Sequence, residues 1–167
     1  IKGLKNFQSP LDVRESFLFH PKLENLEKHE VRDILDFVES ELELVFKKGW
    51  KVTYPGAVDY PDELLHIGWP PMFLSYVGEP CWNTHSFISI VGGREPTFDA
   101  LEWMDSELPQ VLAKEFGFIS GAARGVDQKA HQLCLRAGKR TIAFLPSGLQ
   151  HIYPKDFADF IPDIVED

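Results

Sequence analysis

From residue 87 onward the chain alternates apolar strand-sized runs with amphipathic helical stretches, and that alternation leaves few folds open. Phe87-Ile88-Ser89-Ile90-Val91 reads as a buried strand. A helix is predicted over Thr97–Phe116, with Phe98, Leu101, Met104, Leu108, Val111 and Leu112 on one face; Pro109 inside it predicts a kink or break, and Gly117 a stop. Phe118-Ile119-Ser120 reads as a second strand, Val126–Ala137 as a helix stopped by Gly138, and Thr141–Leu145 as a third strand. Strands joined by crossovers of this length run parallel. Right-handed crossovers place the helices on the faces of the sheet. The fold class is therefore α/β, a three-layer Rossmann-like parallel sheet of which this chain holds the first half, ending in a short helix near Lys155.

Two other segments precede it. Residues 1–49 read as a small N-terminal helical module. Ser9-Pro10 has the form of a cap and first helical residue, and a longer helix is predicted over Leu23–Lys48. There Val31, Ile34, Leu35, Val38, Leu42, Val45 and Phe46 recur at three- and four-residue steps, with acids on the other face. Residues 50–86 carry Pro55, Pro61, Pro70, Pro71 and Pro80, which forbids long helices. They read as a connecting segment packed on the core, with a short helix near Pro61–Ile67 and a strand at Met72–Val77. Its aromatics (Trp50, Tyr54, Tyr60, Trp69, Phe73, Tyr76, Trp82) read as packing residues more than as a stacking platform for bases. The expected domains are thus 1–49, 50–86 and 87–167.

Charge bounds the function. The 167 residues carry a formal net charge of −9, whereas proteins that bind nucleic acid through a broad electrostatic footprint are basic. A polyanion must therefore be held locally, by backbone N–H groups and a few arginines. No apolar run reaches the ~20 residues of a membrane span, and no secretory pattern follows Ile1. Two cysteines, Cys81 and Cys134, are too few for a disulfide scaffold. These features predict a cytoplasmic protein with reduced thiols, and a chain that opens on isoleucine reads as a piece of a longer one.

Three strand-to-helix loops stand out: Gly92-Gly93-Arg94, Ser120-Gly121-Ala122-Ala123-Arg124-Gly125 and Pro146-Ser147-Gly148. Each follows the C-terminal end of a predicted parallel strand, and in open α/β sheets ligands bind along that edge. Glycine and alanine let backbone approach a ligand, helix starts present N–H groups and a positive dipole end, and Arg94 and Arg124 can fork onto a phosphate. The plainer reading is that these glycines only make tight turns; three loops agreeing on one chemistry favours phosphate binding. The expected contacts are Gly92, Gly93, Arg94, Thr97, Ser120, Gly121, Ala122, Arg124, Gly125, Ser147 and Gly148. The spacing matches neither G-x-G-x-x-G nor a P-loop, so no cofactor is expected.

Asp127 and His131, four apart on one helix, admit a general acid/base couple; the preferred reading has Asp127 helping to cap the helix start and His131 packing on the sheet. His131 and Cys134 have no second ligand pair for zinc. No nucleophile elbow is present, and the protein is not expected to be an enzyme.

At these loops the chain resembles the DNA-processing protein A family (DprA, also called Smf). The resemblance rests on Tyr60-Pro61-Asp62-Glu63-Leu64 with Pro70-Pro71-Met72-Phe73-Leu74 and Gly78; on Ile90 through Thr97; on Ser120 through Asp127 with Ala130-His131; and on Gly138 through Ile142, Gly148-Leu149 and Tyr153-Pro154. It covers about residues 50–160. It implies an extended Rossmann fold binding single-stranded DNA in a pocket of these loops, with Arg94 as the phosphate contact. It also implies delivery of the recombinase RecA to that DNA in natural transformation, and a homodimer. Two departures stand against the family pattern: its C-terminal half is not in this chain, and Gly93 stands where serine is usual. Other readings of the residues are a Rossmann-type nucleotide sensor or nucleoside-monophosphate hydrolase, and a protein-interaction module centred on the N-terminal helices.

Overall fold

The computed structural model describes residues 27–71 and 73–166. They fall into two compact units, one up to Val77 and one from Gly78 onward, so the boundary lies inside the segment 50–86. The helix predicted around Ser9-Pro10 and the start of the one predicted from Leu23 lie outside the described residues.

In the first unit, helix α1 spans Lys28–Lys47. Its start is held by Glu30, whose carboxylate accepts the backbone N–H of Glu27 at 2.9 Å. Leu35 is its buried anchor. Strands β1 (Lys51–Thr53) and β2 (Leu74–Tyr76) pair antiparallel, with Val52 opposite Ser75. Between them the prolines permit one turn of 3-10 helix, Asp62–His66, inside the predicted short helix. Asp59 ties the two strands together: its carboxylate accepts the hydroxyls of Thr53 at 2.7 Å and Tyr76 at 2.6 Å. Tyr60 is buried and donates to the Pro71 carbonyl at 2.8 Å. The aromatics divide: Tyr54 and Tyr60 are buried, whereas Trp69 is 93% exposed.

In the second unit, β3 (Phe87–Ser89), β4 (Gly117–Ser120) and β5 (Thr141–Ala143) form a parallel sheet in the order β3-β4-β5. The connections are α2 (Phe98–Leu112) and α3 (Val126–Arg136). Because strand order follows chain order, both crossovers advance in the same direction and α2 and α3 pack side by side on the sheet. Their shared core is Met104, Leu108, Leu112, Phe118, Ala130, Leu133 and Cys134. A 3-10 turn (Lys155–Phe160) and a short helix α4 (Ile161–Glu166) follow, where the sequence places its last helix.

Two local readings are corrected. Helix α2 runs on through Pro109 but ends at Leu112, a turn short of the predicted Phe116. Gly117 is not its stop. It opens β4, and the left-handed residue after the helix is Glu115, at φ 65°. Gly117 is needed for close approach: a Cβ there would run into the Arg140 carbonyl and the Phe87 ring. Gly138, at φ 57° just past α3, does act as the predicted stop.

Candidate functional site

The parallel sheet brings the three glycine loops to one edge, the C-terminal ends of its strands. The first two are in direct contact. Gly125, the residue before α3, has φ 85° and ψ −122°, which presses its α-carbon against the first loop. A Cβ there would lie 2.5 Å from the Gly93 carbonyl oxygen and 2.6 Å from that of Arg94. The Val126 N–H donates to Gly93 O at 3.2 Å, and a Cβ on Gly92 would meet the Val126 side chain at 2.7 Å. Gly92, Gly93, Arg94 and Gly125 therefore form one continuous backbone surface.

Ser120 sits at the junction. The β3–β4 ladder continues past its strands with Ile90 N–H donating to Ile119 O at 2.9 Å. The Ile90 carbonyl is then taken by the Ser120 hydroxyl at 2.5 Å, which leaves the Gly121 N–H outside the ladder. Ser120 is buried and its proton is committed to the protein, so it braces the rim instead of donating to a phosphate as the sequence suggests. Among the described residues, the backbone N–H groups of Gly121, Ala122, Ala123 and Arg124 have no protein acceptor. They precede the start of α3, where the helix dipole favours negative charge.

The third loop approaches the second through Phe144, whose N–H donates to Ser120 O at 2.9 Å and whose carbonyl lies 3.9 Å from a Cβ placed on Gly121. Ser147 and Gly148 lie beyond it in an exposed turn closed by Gly148 N–H to Leu145 O at 3.2 Å. They share the edge without a hydrogen bond to the other loops. Thr97 caps α2 by accepting the Ala100 N–H at 3.3 Å.

The two arginines differ. Arg94 is exposed and pairs with no carboxylate among the described residues. Arg124 donates its Nε–H to Asp156 at 2.9 Å in a solvated ion pair. That partner, from the 3-10 turn after Pro154, is one the sequence reading missed. Nothing in local spacing connects positions 32 residues apart.

Beneath the second loop lies His131, fully buried. Its Nε2 lies 2.7 Å from Gly121 O and its Nδ1 2.7 Å from Thr141 Oγ1, and the Thr141 hydroxyl also lies 2.9 Å from Phe118 O. Phe157 meets the ring edge-on at 5.4 Å. Burial lowers the imidazole pKa, opposed by the Gly121 carbonyl and the Asp127 carboxylate. Asp127 itself is buried, with Oδ2 2.7 Å from a Cβ placed on Gly121. No group of three or more His, Cys, Asp or Glu among the described residues is arranged to hold a metal ion, and no helix among them is long and apolar enough to cross a membrane.

Comparison with known proteins matches residues 51–167 to the family model described as DNA recombination-mediator protein A. Protein Smf of Synechocystis is 40% identical over 105 residues, 60% of this chain and 26% of that protein. DprA from Streptococcus pneumoniae, known by X-ray structure, superposes with a TM-score of 0.66 at 24% identity, covering 93% of this chain and 56% of that one. DNA processing protein A from Helicobacter pylori, whose structure concerns its mode of single-stranded DNA binding, gives 0.59 at 25% identity over 70% of this chain and 51% of that one. The chain spans 26% to 42% of the length of the two Smf proteins of Synechocystis and Borreliella burgdorferi. With the family model matched over residues 51–167 and the fold shared with a DprA structure, the chain belongs to the DNA recombination-mediator protein A family, DprA/Smf.

Proposed function

We propose that this chain binds the phosphate backbone of single-stranded DNA along the rim made by Gly92–Arg94 and Gly121–Gly125, as an accessory to DNA uptake and recombination. The observation that carries the reading is the contact between the first two loops. It sets unsatisfied backbone N–H groups beside Arg94 and the start of α3, the kind of nest an anion occupies. The DNA-binding relative from Helicobacter pylori supports the choice of polymer. An acidic protein can bind this way because neutral dipoles and one arginine do the work.

Binding without catalysis is the companion proposal. Ser120 donates its hydrogen bond to the Ile90 carbonyl, and His131 is buried against two protein oxygens, so neither is offered to a substrate. Cytoplasmic location, delivery of RecA and pairing with a second copy follow from the family resemblance and belong to the same proposal.

The test is a titration of a fluorescent thymidine 20-mer at two salt concentrations, with Arg94→Ala alongside. Each phosphate neutralised on a single strand contributes about 0.7 to the slope of log affinity against log salt. Arg94→Ala should weaken binding for all sequences alike and lower the slope by about that amount. Unchanged affinity at matched salt would overturn the assignment. A mononucleotide that binds as tightly as the 20-mer would favour the nucleotide-sensor reading.

A further inference from the structure

His131 carries this inference, which rests on the DNA-binding reading above and deepens it. A carbonyl oxygen only accepts, so the Nε2 facing Gly121 O at 2.7 Å must bear a hydrogen. That holds for either charge state of the ring: the single Thr141 hydrogen is shared between Nδ1 and the Phe118 carbonyl when the ring is neutral, and goes to Phe118 alone when the ring is charged and its Nδ1 donates to Thr141. The Nε2–Gly121 bond is the invariant of the cluster. Thr141, itself tied to the Phe118 carbonyl, and the Phe157 ring hold the imidazole from the other sides.

The Gly121–Ala122 peptide is trans, since the one cis bond among the described residues is Tyr153-Pro154. Across a trans peptide the C=O and the following N–H point in opposite directions. With its carbonyl drawn inward by His131, the Gly121–Ala122 unit turns the Ala122 N–H away from the imidazole, and that N–H has no protein acceptor. Gly121 is conformationally loose, and a Cβ there would collide with Asp127 Oδ2, so the chain itself does not fix the peptide. We propose that His131 is a positioning residue for the phosphate rim: it locks the Gly121–Ala122 peptide so that the Ala122 N–H is presented to the bound phosphate.

The experiment compares wild type with His131→Gln, His131→Asn, Thr141→Val and Arg94→Ala on the full chain. All are checked for folding by thermal melting and assayed with the thymidine 20-mer below the lowest transition. Glutamine reaches the Nε2 position and keeps a donor for Gly121; asparagine reaches only the Nδ1 position. His131→Gln should bind within about twofold of wild type and His131→Asn about tenfold more weakly, the loss of one hydrogen bond to a charged group. Thr141→Val disturbs the same cluster but leaves the Nε2 bond, so it should melt lower and still bind like wild type. On addition of the 20-mer the Ala122 amide signal should shift in wild type and His131→Gln and stay put in His131→Asn. If wild type exceeds Arg94→Ala in affinity while His131→Asn matches wild type, the positioning role is refuted and the rim stands. If affinity tracks melting temperature across the His131 and Thr141 variants, His131 is structural only. If no protein binds more tightly than Arg94→Ala, the rim falls and this role with it.

Discussion

Gly125→Ala tests the loop junction most directly. At φ 85° and ψ −122° the residue lies in a region open in practice to glycine alone, and placing alanine there costs about 1–3 kcal/mol in backbone strain. The contact adds to this. The new methyl would lie 2.5 Å and 2.6 Å from two carbonyl oxygens and 2.8 Å from the Arg94 carbonyl carbon, against about 3.3 Å for an ordinary C···O approach. These are backbone atoms, not flexible side-chain ends, so the first loop must retreat by most of an ångström. The Val126 N–H to Gly93 O bond, already 3.2 Å, goes with it. Together the loss should be about 2–4 kcal/mol, a drop on the order of 10 °C in the melting of a unit this size. Two controls separate the causes. Gly138→Ala has the positive φ, +57°, but open space around it, and should cost about 1–2 kcal/mol. Gly93→Ala has neither strain nor neighbours and should stay within about 0.5 kcal/mol. Urea or thermal unfolding followed by circular dichroism reads all three, with the 20-mer titration reporting the rim. Gly125→Ala melting within about 2 °C of wild type would refute the claim that the two loops are wedged together at this residue.

Asp156→Asn releases Arg124 from its surface ion pair. Because exposed pairs contribute about 0–1 kcal/mol, melting should hardly move, while 20-mer affinity at low salt should rise a few-fold; weaker binding would mean that Asp156 orients Arg124 toward the DNA. Burial, against weaker opposing hydrogen bonds from Phe118 and Thr141, pushes the Cys134 thiol up to about 11, so it should resist a thiol reagent at pH 8 until the chain is unfolded in denaturant; rapid native labelling at this residue would contradict the packing. The imidazole of His131 titrates below its ordinary value of 6.5 in the fold, so the unfolded chain binds more protons just below that value. Its contribution is fully present above pH 6.5 and is lost as the pH falls, at up to about 1.4 kcal/mol per unit; His131→Gln should flatten this limb of a pH–stability curve, and an unchanged limb would assign it to other groups.

Strand and helix alternation was legible because burial imposes it: Phe118, Leu112 and Leu133 must face one another across sheet and helix, and their periods betray which element each occupies. The meeting of the first two loops was legible because only residues without side chains allow Gly125 to sit on the Gly93-Arg94 backbone. Gly117 shows the limit. The residue type signals a tight place but not which one, and a glycine read as the end of a helix proves to be the point where β4 slides beneath Arg140 and Phe87. Distance along the chain hid the rest. The partnership of Arg124 with Asp156, of Ser120 with Ile90 and of His131 with Thr141 arises from the fold, and no local period encodes it.

Those hidden partnerships change how the rim can work. The sequence offers two arginines and two serine hydroxyls for a phosphate, yet the fold spends Ser120 on Ile90 and Arg124 on Asp156. What is left is Arg94, the exposed Ser147 turn and a row of backbone N–H groups held in place from below. Backbone donors add no positive charge and so displace none of the counterions condensed on the strand, and a strand gripped mainly by them should show a shallow salt dependence for the number of phosphates it touches. The same economy would let a chain with a net charge of −9 hold a polyanion in the way proposed. On the proposed role, its affinity would depend on the orientation of a few peptides more than on the total of its basic residues, and buried His131 would be as consequential for binding as exposed Arg94.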